Sequence, residues 1–181
     1  LRSLDAGGVA RWREANRRIV KAIRADHPNP WFRMSRESFL AQVAALDQDL
    51  PKLSEYQVVL RWKRILAAFG DGHTQLWEEA SWLRVWPIRA AFSGDRLVIR
   101  SVANGQEAWL GARILEVGGE PVGTYLGRLE AFIVDPVPSK RRERLAASFT
   151  PGWAWIEALG VLPTQATPEL LLETMDGRRV T

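Results

Sequence analysis

The chain has 181 residues, of which 46% are hydrophobic and 25% are charged, with 25 Lys and Arg against 21 Asp and Glu. A chain of this length and composition buries roughly 70% of its unfolded surface, so we expect it to fold around a substantial core. No apolar stretch approaches the ~18 residues that a membrane span requires, and we predict no span. The absence of cysteine excludes disulfides and thiolate metal sites. Because His27 and His73 are the only histidines, we also predict no metal and no cofactor.

The net charge of +4 raises the question of nucleic-acid binding. Basic residues are scattered along helical segments, apart from one dense run at residues 140–144. Scattered charges of this kind are typical of solvated helix faces, so we predict no nucleic-acid partner. A basic nucleic-acid binder stays open as a third hypothesis, which requires an affinity that falls steeply with salt.

Residues 5–26 are predicted to form one long amphipathic helix. Apolar side chains recur at helical spacing, with arginines between them, at Val9, Trp12, Ala15, Ile19, Ala22 and Ile23. Pro28 and Pro30 end this helix, because proline has no amide to donate and pushes the preceding residue out of helical geometry. We expect His27 to hydrogen-bond the last carbonyl groups of the helix.

Two shorter helices are predicted next. Ser35 precedes an apolar-periodic segment and is placed to cap its first turn. Ser54 and Gln57 have the spacing of a capping box at the start of the third helix. That helix is predicted to bury Val59, Trp62, Leu66 and Phe69.

The segment Phe69-Gly70-Asp71-Gly72-His73-Thr74 is the most informative in the chain. Gly70 allows the left-handed backbone that stops a helix abruptly and aims the next side chains into a cleft. The imidazole of His73 titrates near neutrality, so a positioned His73 can take a proton from a hydroxyl nucleophile and return it to a leaving group. We expect chemistry at this turn, although one histidine alone does not make an active site.

The remainder of the chain is predicted to be rich in strands. Residues 82–92 and 96–102 are predicted strands joined by a turn at residues 93–95, and residues 112–117 form a further strand. Short helices are predicted at residues 106–110, 121–132, 140–147 and 153–159, and a hairpin follows around Asp176-Gly177. The sequence therefore predicts an α+β fold with a helical first part and a small domain with a mixed sheet.

In this order, the segments resemble the amino-terminal portion of tail-specific, or C-terminal-processing, serine peptidases, including their tricorn-like branch. The resemblance covers most of the chain, and its most specific element is the Gly70-Asp71-Gly72-His73-Thr74 segment after a helix. Further matching segments are His27-Pro28-Asn29, Pro87-Ile88, Asp95-Arg96-Leu97-Val98-Ile99 and the PDZ-type pattern from Gly111 through Ile114 and Val117 to Gly119.

The resemblance implies a helical cap domain at residues 1–74 and a PDZ-like domain at residues 75–181, with additional helices and a terminal hairpin. In the family, both domains precede a separate catalytic domain that supplies the nucleophilic serine. The chain is therefore expected to be a fragment of a serine-type peptidase that has no peptidase activity by itself. The implied partner is a peptide or unfolded protein substrate, and the family alone suggests an extracytoplasmic location.

The resemblance also suggests roles for individual residues. In tricorn-like members a histidine before the PDZ-like domain acts as general base to the distant serine, and His73 matches that position. Other members use a lysine of the catalytic domain, in which case His73 would only fix the loop through hydrogen bonds. We interpret Asp71 as a turn residue, because close sequence neighbours rarely face one another as triad members do.

A PDZ-like domain binds an extended peptide as an added strand at its sheet edge, and loop amides hold the terminal carboxylate. The position that corresponds to this loop is Pro87-Ile88-Arg89-Ala90, which departs from the family's pattern because it contains no glycine and proline has no amide. Arg89 is the candidate binding residue through a charged pair, and the alternative is a solubilising arginine on an edge strand. A peptide- or ligand-binding module without catalysis is therefore the second hypothesis for the function.

Overall fold

The computed structural model describes residues 2–76, 86–135, 137–149, 156, 158–160 and 169–181. The chain divides into two compact units, Leu1–Trp77 and Glu78–Thr181, which we call the helical unit and the sheet unit. The helical unit contains α1 (Ala6–Asp26), α2 (Arg36–Asp49) and α3 (Glu55–Ala67). The described part of the sheet unit contains two further helices and six strands. The predicted α+β class is confirmed, whereas the boundaries at residues 1–74 and 75–181, with their assignment to a cap and a PDZ-like domain, stay predictions.

Polar side chains fix the starts of the three helices. Asp5 accepts the Gly8 amide at 2.6 Å and begins α1, and Ser35 accepts the Ser38 amide at 3.1 Å and begins α2. At α3, Ser54 and Gln57 form the predicted capping box, in which each side chain binds the other residue's backbone amide. The caps predicted at Ser35 and Ser54 are confirmed.

A fully buried tryptophan joins the three helices of the helical unit. The indole nitrogen of Trp62 on α3 donates to Asn16 Oδ1 on α1 at 2.7 Å, and Asn16 Nδ2 donates to Asp47 Oδ1 on α2 at 2.6 Å. Asn16 is only 1% exposed, so its amide is satisfied inside the core. These two hydrogen bonds fix the register of all three helices against one another.

An aromatic cluster closes the end of this core that lies nearest the glycine turn. Phe39 is fully buried and contacts the rings of Trp31, Trp62 and Phe69 at centroid distances of 5.7, 6.4 and 5.5 Å. Phe69 directly follows Ala68, the C-cap of α3, and is buried, as predicted. Its ring also lies 5.6 Å from the imidazole of His27, which brings the end of α1 next to the end of α3.

The sheet unit has strands β1 (Ile88–Ser93), β2 (Arg96–Val102), β3 (Arg113–Val117), β4 (Glu120–Pro121), β5 (Leu170–Glu173) and β6 (Arg179–Val180). They form one sheet in the order β1-β2-β3-β5-β6, and β4 pairs with β3. All described pairings are antiparallel, so the prediction of a mixed sheet was wrong. The physical reason is that tight turns join β1 to β2, β3 to β4 and β5 to β6, and such turns reverse the chain.

Among the described strands, β1 of the first hairpin lies at an edge of the sheet. Ser93 pairs with Arg96 across a two-residue turn whose Gly94 has a φ of +56°, as such turns require. Strand β1 begins at Ile88, directly after Pro87, and the part of the predicted strand at residues 82–85 lies outside the described residues. Near Arg89 the register shifts, so that β2 has one extra residue, Arg100, in a β-bulge.

Helices α4 (Val122–Glu130) and α5 (Pro138–Ala147) pack on this sheet. The core contains Tyr125 and Phe149, both fully buried with ring centroids 5.7 Å apart, and apolar strand residues such as Ile99 and Ile114. The predicted helix at residues 106–110 is a single 3₁₀ turn, Glu107–Trp109. Trp82, Trp153 and Trp155 lie outside the described residues.

The described helices do not have the character of membrane spans. None of them combines 18 or more residues with the apolar character that crossing a bilayer requires.

Candidate functional site

The glycine turn predicted as the site of chemistry ends α3. The Gly70 amide donates to the Ala67 carbonyl at 3.0 Å, and Gly70 has a φ of +66°, which confirms the expected left-handed geometry. The side chain of Arg33 lies against this backbone, so that a β-carbon at Gly70 would come within 2.5 Å of Arg33 Cδ. The turn therefore requires glycine for two reasons, its φ angle and this close approach.

The carboxylate of Asp71 organises the turn. Its Oδ1 accepts the His73 backbone amide at 3.0 Å, and its Oδ2 accepts the Thr74 hydroxyl at 2.8 Å. The His73 amide and then the Thr74 hydroxyl, followed by the imidazole of His73, lower the pKa of Asp71 from 3.8 to about 2. Asp71 is therefore an ionised acceptor at neutral pH and, as predicted, a turn residue.

The imidazole of His73 also faces this carboxylate, although the two residues are close in sequence. His73 Nδ1 lies 3.2 Å from Asp71 Oδ1. Because the carboxylate is ionised and can only accept, Nδ1 must carry the proton, and the lone pair of neutral His73 is then on Nε2. The side chain of His73 is 100% exposed, so this lone pair is accessible. The pattern Asp-x-His thus orients the imidazole of His73 by itself.

A second histidine faces the same aspartate from α1. His27 Nε2 lies 3.6 Å from Asp71 Oδ2, and the His27 side chain is 14% exposed. The other ring nitrogen, Nδ1, accepts the Asn29 amide at 3.1 Å, whereas the backbone amide of His27 donates to the Ile23 carbonyl. The expected hydrogen bond from His27 to the last helical carbonyls is therefore made by its backbone amide, whereas its ring faces Asn29 and Asp71.

Sequence reasoning missed that His27, Asp71 and His73 form one cluster. Nothing in the spacing of residues so far apart signals such a contact, which depends on the packing of Phe69 against His27. Within the described residues, no group of three or more His, Cys, Asp or Glu side chains is arranged to hold a metal ion. The chemistry that the cluster supports is proton transfer at His73.

The sheet unit contains a separate feature, a groove of about 1440 Å³ between β1 and α5. Arg89, the predicted binding residue, lies in β1 rather than in a loop, is exposed, and lines this groove together with Arg100. Neither arginine has an ion-pair partner among the described residues. Within the described part of the sheet unit, the groove therefore combines an edge strand with two arginines that lack an ion-pair partner.

One arginine on α5 closes an end of this groove. The Arg142 guanidinium lies 4.3 Å from the centre of the Phe92 ring, donates to the Gly94 carbonyl and binds Asp95 Oδ1 at 3.1 Å. Arg142 thus ties α5 to the β1–β2 turn. The basic run at residues 140–144, considered for nucleic acid, contributes Arg142 to this contact and Arg144 to an ion pair with Asp135 at 2.9 Å.

No protein-family model matches the chain. No curated protein matches its sequence either. Among solved structures it is similar to mature CPAF and to the S499A mutant of CPAF, with 13% sequence identity and a TM-score of 0.62. CPAF is a chlamydial serine protease with a tail-specific-protease-like fold. The match covers 92% of this chain and 32% of the CPAF chain, so the chain spans about a third of the length of these proteins. The chain therefore has a fold similar to that of about a third of CPAF.

Proposed function

We propose that this chain is the amino-terminal part of a serine-type peptidase of the tail-specific kind, and that His73 is the general base for a serine outside the chain. The observation that supports this proposal most is the orientation of His73. Its Nδ1 faces the ionised carboxylate of Asp71, and its exposed Nε2 is free to accept a proton. This is the arrangement that a base in a serine–histidine–aspartate triad requires.

The proposed reaction has two stages. As the serine oxygen bonds to the substrate's carbonyl carbon, its proton moves to Nε2 of His73, and the resulting imidazolium is stabilised by Asp71 through the Nδ1 hydrogen bond. His73 then returns the proton to the leaving amine, and an acyl-enzyme remains on the serine. Water hydrolyses this ester with His73 again as base, which regenerates the serine.

The groove of the sheet unit is proposed to bind the peptide or unfolded protein substrate. Among the described strands β1 lies at the sheet edge, so an extended segment can add to it through backbone hydrogen bonds. Arg89 and Arg100 favour a segment that carries carboxylates there, because each lacks an ionic partner among the described residues. The PDZ-like assignment of this unit and a location outside the cytoplasm belong to the same proposal.

The groove also supports a second candidate, a peptide-binding module whose parent protein has no catalysis. This candidate needs the groove but assigns no chemical role to His73. The two functions therefore make different predictions for the same substitution at position 73.

The test is hydrolysis of a fluorogenic peptide library by the full-length gene product and by its His73→Ala variant. We expect the variant to lose activity by about 10²- to 10⁴-fold, the range of a positioned acid–base group. Arg36→Ala, at an exposed arginine outside this cluster, serves as the control. Undiminished activity in a folded His73→Ala protein excludes His73 as the base, and an inactive parent that still binds peptides favours the binding module.

Peptide binding by this chain is measured separately, by fluorescence polarisation with matched acidic and neutral peptides. Arg89→Glu is expected to lower the affinity for the acidic peptide by about tenfold or more and to leave the affinity for the neutral peptide nearly unchanged. Arg36→Glu is the matched control, because Arg36 is an exposed arginine of the helical unit. If both variants lower the affinity for the acidic peptide equally, binding depends on the net charge of the chain and not on Arg89.

A further inference from the structure

We infer that His27 is a positioning residue for His73, and that it acts through the carboxylate of Asp71. This inference rests on the proposed function, since it concerns the base of that reaction. It adds a residue from the end of α1, distant in sequence from the glycine turn, to the group that orients the reacting imidazole.

The ring of His27 is held in a fixed orientation. Its Nδ1 accepts the Asn29 amide at 3.1 Å, and its face packs against Phe69 at 5.6 Å. An amide N–H can only donate, so Nδ1 of His27 carries no proton in this arrangement. In neutral His27 the proton must therefore be on Nε2.

Nε2 of His27 lies near the carboxylate of Asp71. Nε2 of His27 is buried, has no hydrogen-bond partner among the described residues, and lies 3.6 Å from Asp71 Oδ2. This distance is longer than that of a hydrogen bond, so the contact is electrostatic. A slightly shorter distance between Nε2 and Oδ2 would make it a hydrogen bond. The Nε2–H donor is buried without a hydrogen-bond partner, so its closeness to the ionised carboxylate offsets part of the free-energy cost of removing it from water.

As a consequence, both carboxylate oxygens of Asp71 have polar contacts that restrict its rotation. Oδ1 accepts the backbone amide and Nδ1 of His73, while Oδ2 accepts the Thr74 hydroxyl and faces His27. The charged side chain of Arg33 also packs against this turn, at Gly70. If the His27 donor is removed, the carboxylate can rotate towards solvent, and His73 loses part of the interaction that keeps its proton on Nδ1.

The tautomers of both histidines can be read directly, because the chain has two histidines in total. We would label histidine with ¹⁵N and measure the ring nitrogen shifts above the pH where either imidazole is charged. The expected wild-type spectrum shows His27 protonated on Nε2 and His73 protonated mainly on Nδ1. A wild-type His27 protonated on Nδ1 would overturn the inference without any variant.

The decisive variants are His27→Phe, which keeps a ring against Phe69 without a donor, and His27→Gln, which keeps an N–H near the position of Nε2. In His27→Phe, the ratio of Nδ1–H to Nε2–H forms of His73 should fall about three- to tenfold, the range of one hydrogen bond's net contribution. In His27→Gln the ratio should stay near the wild-type value. A ratio unchanged in folded His27→Phe overturns the inference, and His27→Leu gives the same test if His27→Phe does not fold.

Failure of the inference and failure of the proposed function have different signatures. In the full-length enzyme, His27→Phe should lower kcat by a factor no larger than the fall in this tautomer ratio, with KM unchanged, and His27→Gln should restore kcat. If His73→Ala is inactive but the tautomer ratio of His73 is the same in the His27 variants as in wild type, the proposed function is supported and the positioning role of His27 is excluded. If the tautomers respond as expected but His73→Ala is fully active, the proposed function fails.

Discussion

The largest fully buried side chain of each unit, among the described residues, carries a polar group, and these two groups differ in their hydrogen-bond partners. In the helical unit, Trp62 and Asn16 are buried and connected by a 2.7 Å hydrogen bond, and Asn16 in turn donates a hydrogen bond to Asp47. In the sheet unit, the hydroxyl of Tyr125 is buried with no hydrogen-bond partner among the described residues. Satisfied polar groups specify one arrangement of the elements around them, whereas an unsatisfied hydroxyl only costs free energy.

This difference bears on how firmly each unit positions its functional side chains. The candidate base is in the helical unit, whose helices are locked by the Trp62 chain and by capped starts, so its turn is presented on a rigid support. The groove is in the sheet unit, where antiparallel pairing and apolar packing position an edge strand. An edge strand can adapt to different peptides, which suits recognition more than proton transfer.

The largest effect is expected at Trp62. Trp62→Phe removes the donor to buried Asn16 and leaves space in the core, so it should lower the free energy of unfolding by about 2–4 kcal/mol. The measurement is urea unfolding followed by circular dichroism, with hydrogen exchange to locate the loss. Protection should fall in α1, α2 and α3. A loss under about 1 kcal/mol would mean that the hydrogen bonds through Asn16 do not lock the helical unit.

A second prediction compares two glycines, one from each unit, that have similar φ angles. Gly70 has φ +66° and contacts Arg33, whereas Gly94 has φ +56° and open space, with no atom within 4 Å of where a β-carbon would lie. Gly94→Ala should cost about 1 kcal/mol from backbone geometry, and Gly70→Ala about 2 kcal/mol or more because Arg33 must also move. Thermal and urea unfolding check both values. Equal costs would show that Arg33 gives way freely and does not define the turn.

Local features of the fold could be predicted from the sequence because their causes are local. The caps at Ser35 and Ser54, the left-handed Gly70 and the hairpin turn at Gly94 each depend on residues within a few positions of one another. Of the described residues predicted for the first strand, Trp86 and Pro87 lie before β1, since a periodic pattern does not show where pairing begins. The antiparallel sheet was missed because pairing direction depends on connections that the pattern does not record.

The candidate site could be predicted only in part for the same reason. His73 was identified from its turn, and its contact with Asp71 follows from that turn's geometry. His27 joins them only because α1 and α3 end side by side around Phe69, which is a matter of tertiary packing. Asn16 gave a usable signal, a polar residue on the apolar face of α1, whose partners the sequence could not identify.

The third prediction concerns pH and the helical unit. Folding lowers the pKa of Asp71 from 3.8 to about 2, first through the His73 amide, so this carboxylate adds stability that is complete above its unfolded pKa. That stability should be lost as pH falls from about 4 to about 2. Because Asp71 is 38% exposed, solvent screens the effect, which should be smaller than that of Gly70→Ala. Urea unfolding at stepped pH should show the advantage of wild type over Asp71→Asn shrinking in this window; a constant advantage would contradict the assignment.

The smallest change in stability is expected at Tyr125 of the sheet unit. Burial raises the pKa of its phenol, and the hydroxyl has no hydrogen-bond partner among the described residues. Tyr125→Phe keeps the edge-to-face contact with Phe149 and removes only the unsatisfied hydroxyl. The variant should therefore be as stable as wild type or up to about 1 kcal/mol more stable, as measured by urea unfolding. A loss of more than about 1 kcal/mol would show that the hydroxyl does make a hydrogen bond, and the contrast between the interiors of the two units would then disappear.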